Sequence, residues 1–542
     1  MKNIYSFIIC CIFISEISSA QTFSWVNPAG NGTYVDYGFG VAVDNQHNVV
    51  ATGMHFNNAT FNSTIVNGYG YQDAYIAKYD STGNLLWVHG IGGGEQDWGY
   101  AIAVDANDNI FITGTYAWYA IHFTATDSLP ISAPQATNCF IAKYDANGNF
   151  LWARSGGCSY GKSSSVEVDT SGNAIISGFF NSTINFSGNI LNGGGQNLFF
   201  VKYDSIGNVT WAKAGISSSN CSTNALKCDA AGNIYATGKI SQTITFASTP
   251  YLHNGGDDMY TAKFDAGGNL QWFKVQGNSL VASSTANTLD SGNGIDVDNS
   301  GNIYVAGSLL DTFIVSSMYQ SLAVVKYDNN GNQQWLYKYG NNSIDVCNSL
   351  SLDAAGNPYV IGSYSGALTI GNSVLPTASD VDIFIAKFNS SGACIAAMGI
   401  GTGNGNDAGN GICVDKTSIG VAITGSMRNN LNFGSIPVSG DNASTIFVGK
   451  MFGDALSGIA ENQLQNNFSL FPNPANGIIN LQFENAGNYL VEIYNSFGQV
   501  VYSEKTNAQF NTIDTSDFAN GFYFISTSDS NGNRTTKKII KE

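Results

Sequence analysis

Five aspartates recur at one spacing. Asp36, Asp97, Asp290, Asp345 and Asp407 each lie eight residues before another Asp that opens a turn. Carboxylates presented at one position by several repeats could ring a channel mouth and hold a hard, oxygen-seeking cation such as calcium. They could also supply acid and base to a glycosidic bond, or simply cap the amides of their own turns. No other cofactor is evident. A second group is aromatic. Trp98 and Trp118 lie near Tyr116, Tyr119, Glu95 and Asp97. Flat apolar faces beside carboxylates suit stacking on sugar rings and bonding to their hydroxyls. Trp98 aligns with Tyr37 of the preceding repeat, so packing of a rim is its alternative use. His47, His55, His89, His122 and His253 show neither H-E-x-x-H spacing nor a Ser/His/Asp order. The Gly-rich stretch from Gly92 to Glu95 has no Walker lysine and no following helix, which disfavours phosphate cradling.

Repeats must position these groups. Residues 41–53 read VAVDNQHNVVATG, residues 102–114 read IAVDANDNIFITG, and residues 295–307 read IDVDNSGNIYVAG. Seven such segments end at Gly53, Gly114, Gly178, Gly238, Gly307, Gly362 and Gly425. A second segment alternates with the first, as in IAKYDSTGNLLW over residues 76–87. Its Trp recurs at Trp87, Trp152, Trp211, Trp272 and Trp335, with Ala396 in the sixth copy. Each segment is an apolar strand, an Asp, two variable residues, Gly-Asn and another strand. Asp accepts turn amides and Gly takes the left-handed position, so each reads as a hairpin. Two hairpins make a four-stranded unit, and radial repetition of such units gives a β-propeller.

The seventh unit lacks its Trp strand, and Thr22 to Gly30, containing Trp25, matches it at the other end of the chain. The sequence therefore predicts an all-β fold: a seven-bladed β-propeller of four-stranded blades, closed by the N-terminal strand pairing near Val448. The six Trp residues at this position, Trp25 included, read as blade-docking rings. Lys78, Lys143, Lys202, Lys263, Lys326, Lys387 and Lys450 share one third-strand position and read as partners of the turn aspartates. Two places before the first-turn Asp, Glu167, Lys227 and Asp296 form a charged arc, read as a salt-linked channel lining. The D-x-x-G-N turns fall on one face and the long, variable connections on the other, where binding is expected.

The N-terminus carries Lys2, the apolar run Ile8 to Ile14 and Ser18-Ser19-Ala20, which read as a signal peptide over residues 1–20. A lipid anchor on Cys10 or Cys11 is disfavoured by the residues before them. No later run is apolar and long enough for a transmembrane helix. Seven cysteines follow, an odd number spread over separate repeats without C-x-x-C spacing, so a zinc site is not expected. Charged residues are only 11% of the chain, and its net charge of −17 argues against nucleic acid or an anionic membrane as partner. The propeller is expected over residues 21–453, as a monomer, followed by a polar linker at 454–467.

These units resemble the seven-bladed beta-propeller repeat family of secreted bacterial proteins, with its A-V-D-x-x-G-N and A-K-Y-D-x-x-G-N-x-x-W cores. That resemblance implies a fold rather than an activity. Residues 468–542 alternate apolar and polar positions and read as a small Ig-like β-sandwich. Pro472-Asn473-Pro474, the stretch Tyr494 to Gln499, Gly521 with Tyr523, and Lys537, Lys538 and Lys541 resemble the type A C-terminal sorting domain of the type IX secretion system of Bacteroidota. The resemblance implies the type IX machinery as partner, passage across the outer membrane, removal of the tail, and release or surface attachment through lipopolysaccharide. The function expected is a secreted or surface binding protein for a glycan or protein. The alternatives are a polysaccharide hydrolase or lyase acting through carboxylates at the channel mouth, and a structural or adhesive surface component.

Overall fold

A computed structural model of the chain describes residues 23–277, 290–310, 319–340, 343–401, 405–417, 420–452, 468–483, 487–495, 500–529 and 534–541. The signal peptide and linker expected from sequence lie outside the described residues. Every regular element among the described residues is a strand, and the chain divides into two units, Met1–Gly458 and Ile459–Glu542.

The first unit is propeller-like. Its first array pairs Tyr37–Val43, Val49–Phe56, Gln72–Tyr79 and Leu85–Ile91 in antiparallel order. The second strand of the array is buried along its whole length, so it must lie between neighbours. The same order recurs in arrays whose innermost strands are Asp97–Val104, Gly161–Val168, Cys221–Cys228, Ser291–Val297, Val346–Leu352 and Ala408–Asp415. The last array takes its fourth strand from the N-terminus. Phe23–Gly30 pairs antiparallel with Thr445–Phe452, setting Asn27 opposite Val448. Each innermost strand lies against the next, and Ala408–Asp415 lies against Tyr37–Val43.

The turns explain the repeat. Asp80 accepts the amides of Thr82 and Asn84, each at 2.9 Å, and the Asn84 side chain donates back to it. These bonds hold the Asp80 carboxyl at about 2, although it sits in solvent. Gly83 takes φ 93°, open to glycine at little cost. Two first turns use other residues there. His47 (φ 65°) puts Nδ1 2.8 Å from Asp415, and Asp108 (φ 62°) accepts the Asn45 amide at 2.9 Å, so contacts with a neighbouring array offset the strain.

Arrays are joined through these turns. Trp25, Trp87, Trp152, Trp211, Trp272 and Trp335 each cover the turn glycine of the following array. A Cβ on that glycine would lie within 2.7 to 3.0 Å of the indole. Five of the six donate Nε1 to a carbonyl of the same turn, as Trp25 does to Ser81 at 3.1 Å. Lysines at the repeated third-strand position brace the first turn of their own array, and some also reach the next array. Lys78 pairs with Asp44 at 2.8 Å and donates to the Ala146 carbonyl of the next array, and Lys202 pairs with Asp169 at 2.7 Å. Ala396 marks the one place where there is no turn to cover, because the third and fourth strands of the seventh array come from opposite ends of the sequence. It packs instead in the cluster that includes Phe23.

The second unit pairs Phe468–Asn476 with Ile478–Phe483, and Tyr489–Asn495 with Gly521–Asp529, which in turn pairs with Arg534–Lys541. Phe468, Leu481, Ile493, Ile525 and Ile539 share its core.

Candidate functional site

All seven innermost strands line one cavity of about 670 Å³. Which side chains enter it depends on an irregularity shared by every one of these strands. The register slips across Phe39, Tyr100, Ser164, Asn224, Asn293, Asn348 and Asn410. Each is the extra residue of a β-bulge, five places before the turn Asp. Regular alternation would give the cavity positions an even number of places from one another. The bulge shifts the phase, so the positions two and five places before the turn both face it. Small residues flank each bulge, from Gly38 and Gly40 in the first strand to Gly409 and Gly411 in the seventh.

The inner ring contains the expected charged arc. Lys227 Nζ lies 2.9 Å from Glu167, and Lys416 Nζ lies 3.6 Å from Asp296. Asp296 also accepts the Leu352 amide at 2.9 Å. Burial raises the Glu167 carboxyl, and Lys227 pulls it back.

The bulge ring, nearer the loop-bearing end, has two unlike halves. Asn293, Asn348 and Asn410 donate their side-chain amides to the carbonyls of Cys347, Gly409 and Gly38 on the next strand, at 2.8 to 2.9 Å. Asn224 does the same to Gly292 at 3.1 Å. These bonds fix the amide orientation, and the carbonyl oxygens of Asn224, Asn348 and Asn410 accept no bond from described residues. Opposite stand Phe39 and Tyr100, with ring centroids 5.4 Å apart. Tyr37 stacks on Phe39 at 5.7 Å, and Trp98 meets Tyr100 edge-on at 5.7 Å. Lys162 extends over the Tyr100 ring, its Nζ 3.6 Å from the centroid. Desolvation lowers its ammonium to about 8.

The structure redistributes the residues singled out from sequence. Asp36, Asp97, Asp290, Asp345 and Asp407 do not converge on the channel mouth. Each is buried in its own array and accepts a backbone amide at or just past the end of that array's second strand, and two also accept a loop amide: Asp36 from Phe56 (2.7 Å) and Asn31 (3.0 Å), Asp97 from Ala117 (3.2 Å) and Gly93 (2.5 Å). Asp290 accepts from Leu310, Asp345 from Ser365 and Asp407 from Arg428. Burial pushes Asp36, Asp290 and Asp407 up to about 7, and Asp97 well above the usual range. Of the uses open to these carboxylates, the bonds match the capping of backbone amides within one array, and among the described residues no three His, Cys, Asp or Glu side chains gather as a metal site. Tyr116 is a core residue, its hydroxyl donating to the Pro130 carbonyl at 2.7 Å. Trp118 and Tyr119 are about half exposed on the loop-bearing end, Glu95 is partly buried there, and Trp98 joins the mouth cluster with Nε1 2.9 Å from Gln72. Tyr37, Phe39, Tyr100, Lys162 and the Asn ring were missed. Small residues on both sides of the bulge were the available signal.

In the second unit, Asn473 binds the last strand through Lys538 O (2.8 Å) and the Ile540 amide (2.9 Å). Tyr523 donates to Ala519 O at 2.9 Å, beside Gly521. Lys537 lies over Phe468 and Lys538 over Phe522. Pro472 and Pro474 flank Asn473 in the same strand. Residues 469–542 match the model of the secretion system C-terminal sorting domain, and residues 271–308 match that of the beta-propeller repeat. The chain thus carries a beta-propeller repeat in its first unit and a type IX sorting domain at its C-terminal end. Such a tail directs its protein through the type IX machinery to the cell surface or extracellular space. The chain is 24% identical over 458 residues to an uncharacterized WD repeat-containing protein of Acanthamoeba polyphaga mimivirus, covering 68% of this chain and 32% of that one. It therefore spans about a third of that relative's length. Among solved structures it is similar to PorZ, a surface component of the type IX system of Porphyromonas gingivalis, with TM-score 0.40, 12% identity and coverage of 93% and 59%. A virginiamycin B lyase from Staphylococcus aureus gives TM-score 0.37, 8% identity and coverage of 79% and 99%.

Proposed function

We propose that the first unit is a closed seven-bladed propeller that binds a glycan at the loop-end mouth of its channel, and that an Ig-like sandwich delivers it to the outside of the cell. The blade count rests on seven arrays of one strand order, and closure on the strand borrowed from residues 23–30. One observation carries the binding reading. The repeated bulge sets an aromatic half-ring opposite a half-ring of asparagine oxygens around a cavity of about 670 Å³, within the range of small-ligand sites. Aromatic faces take the C–H face of a sugar, and carbonyl oxygens of amides held in place by an N–H bond to the next strand accept its hydroxyls. Asp97 and Asp345, which a polysaccharide-cleaving reading would need, are engaged with backbone amides.

A glycan array probed with the full chain tests this. Binding to at least one saccharide class, lost in Tyr100→Ala and Asn348→Ala and kept in Ile206→Ala at the opposite end, supports it. Binding that survives both mouth substitutions removes the channel mouth as the site.

A further inference from the structure

We infer that the channel mouth selects a carboxylated sugar, a uronic-acid residue whose carboxylate pairs with Lys162 while Tyr100 and Phe39 hold its apolar face. This rests on the glycan-binding reading above and adds the charge of the ligand.

Three cations line the cavity: Lys162, Lys227 and Lys416. Two are neutralised by cavity carboxylates, Lys227 by Glu167 and Lys416 by Asp296. Lys162 has no carboxylate within ion-pair distance and no hydrogen-bond acceptor among the described residues. In a chain of net charge −17 an uncommitted cation is a minority feature. This one sits where water is partly excluded, held over an aromatic face 3.6 Å away. An ammonium so placed is stabilised by the ring quadrupole but lacks the counter-charge that a partly dry site calls for. Its repeat position is also distinctive. Lys162 stands seven places before the turn Asp, where the other innermost strands carry Tyr37, Trp98, Ser222, Ser291, Val346 and Ala408.

The two halves of the mouth then divide the work. Lys162, Phe39 and Tyr100 form one wall, which takes a carboxylate and an apolar sugar face together. Asn224, Asn348 and Asn410 form the other, whose carbonyl oxygens accept no bond from described residues and so suit hydroxyls better than a second carboxylate. A uronic-acid residue has one carboxylate on a ring otherwise edged with hydroxyls, which matches that division. No bond is made or broken in this step.

The test prints uronic-acid oligosaccharides beside their carboxyl-reduced counterparts and beside sulfated galactans, with the full chain as probe. The expected result is a preference for the acidic over the reduced partner of tenfold or more, weakening as salt rises. Lys162→Gln should abolish the preference by weakening the acidic partner far more than the reduced one, and Lys162→Arg should restore part of it. An unchanged thermal midpoint in Lys162→Gln excludes misfolding. Equal binding of acidic and reduced forms by the wild type, or a preference surviving Lys162→Gln, overturns the inference and leaves the glycan site standing. Sulfated galactans bound as tightly, with the same dependence on Lys162, overturn the assignment to carboxylate. Binding of no saccharide at all overturns the glycan reading itself.

Discussion

The two ends of the propeller-like unit are built on opposite rules. At the turn end, one chemistry is copied from repeat to repeat: an Asp gathers its own turn amides, a Lys reaches the next array, and a Trp covers the next turn glycine. At the loop end, the connections differ in length and content. Tyr69, Tyr71, Trp118, Tyr119 and Tyr160 stand about half exposed there, all from the first three repeats. Lys162 of the loop-end mouth has no carboxylate partner among the described residues, whereas Lys78 and Lys202 at the turns are paired. Stability is thus concentrated where the sequence repeats, and freedom to recognise is left where it does not.

The sharpest way to break this division is to remove the strand that crosses it. Deleting residues 23–30 strips Phe23, Trp25 and Val26 from the interior and bares the edge of Thr445–Phe452. At about 1.5–3 kcal/mol per buried large side chain, the loss is roughly 5–9 kcal/mol, comparable with the whole stability of many domains. The deleted chain should lose its cooperative urea transition and aggregate through the bared edge. A transition with unchanged midpoint would show that the borrowed strand is not needed.

A single docking ring comes next. Trp152 is 9% exposed and covers Gly207. Trp152→Ala should cost about 3–5 kcal/mol in denaturant titrations. A loss below about 1 kcal/mol would mean that the lysine and aspartate contacts hold the seam alone.

Ala396 offers the converse. Ala396→Trp restores the repeat pattern, and a rule of pattern alone expects a gain. Without a turn glycine to cover, the indole must enter the cluster of Phe23, Met427 and Phe447. The variant should be less stable by about 1–3 kcal/mol, the usual cost of overpacking. A rise in thermal midpoint would show that the ring works without its turn.

Ala396 also measures what was legible beforehand. The hairpins, their turns and the borrowed N-terminal strand could be read because each rests on local chemistry: Asp for turn amides, Gly for a left-handed step, Trp at one offset. The ring of bulges could not, because no residue type makes it. Its members are Phe39, Tyr100, Ser164 and four asparagines, and only the small residues on either side betray the slip. Counting by twos from the turn therefore reached Glu167, Lys227 and Asp296 and stopped short of Tyr100 and Asn348. The aspartates misled for a related reason. Spacing fixed their place in the repeat, but whether a carboxylate looks into a channel or back at its own loop depends on where the loop runs. In five repeats the carboxylate turns to an amide at or just past the end of its own array's second strand.

The smallest expected effect on stability is at Trp118, and it separates the two ends most directly. Its backbone lies at φ 67°, a conformation that costs a bulky residue about 1–2 kcal/mol, yet its ring is 48% exposed and returns little packing. Strain kept without burial belongs to the loop-end rule. Trp118→Gly relieves the backbone but loosens the unfolded chain by about 0.4–1 kcal/mol, so the two nearly cancel. The denaturation midpoint should stay within about 0.5 kcal/mol of the parent. Glycan retention on the array should fall, because an exposed indole beside Tyr119 is contact surface that the fold does not use. A midpoint lower by more than about 1 kcal/mol would show that the ring braces its loop, and stability would then reach into the end assigned here to recognition.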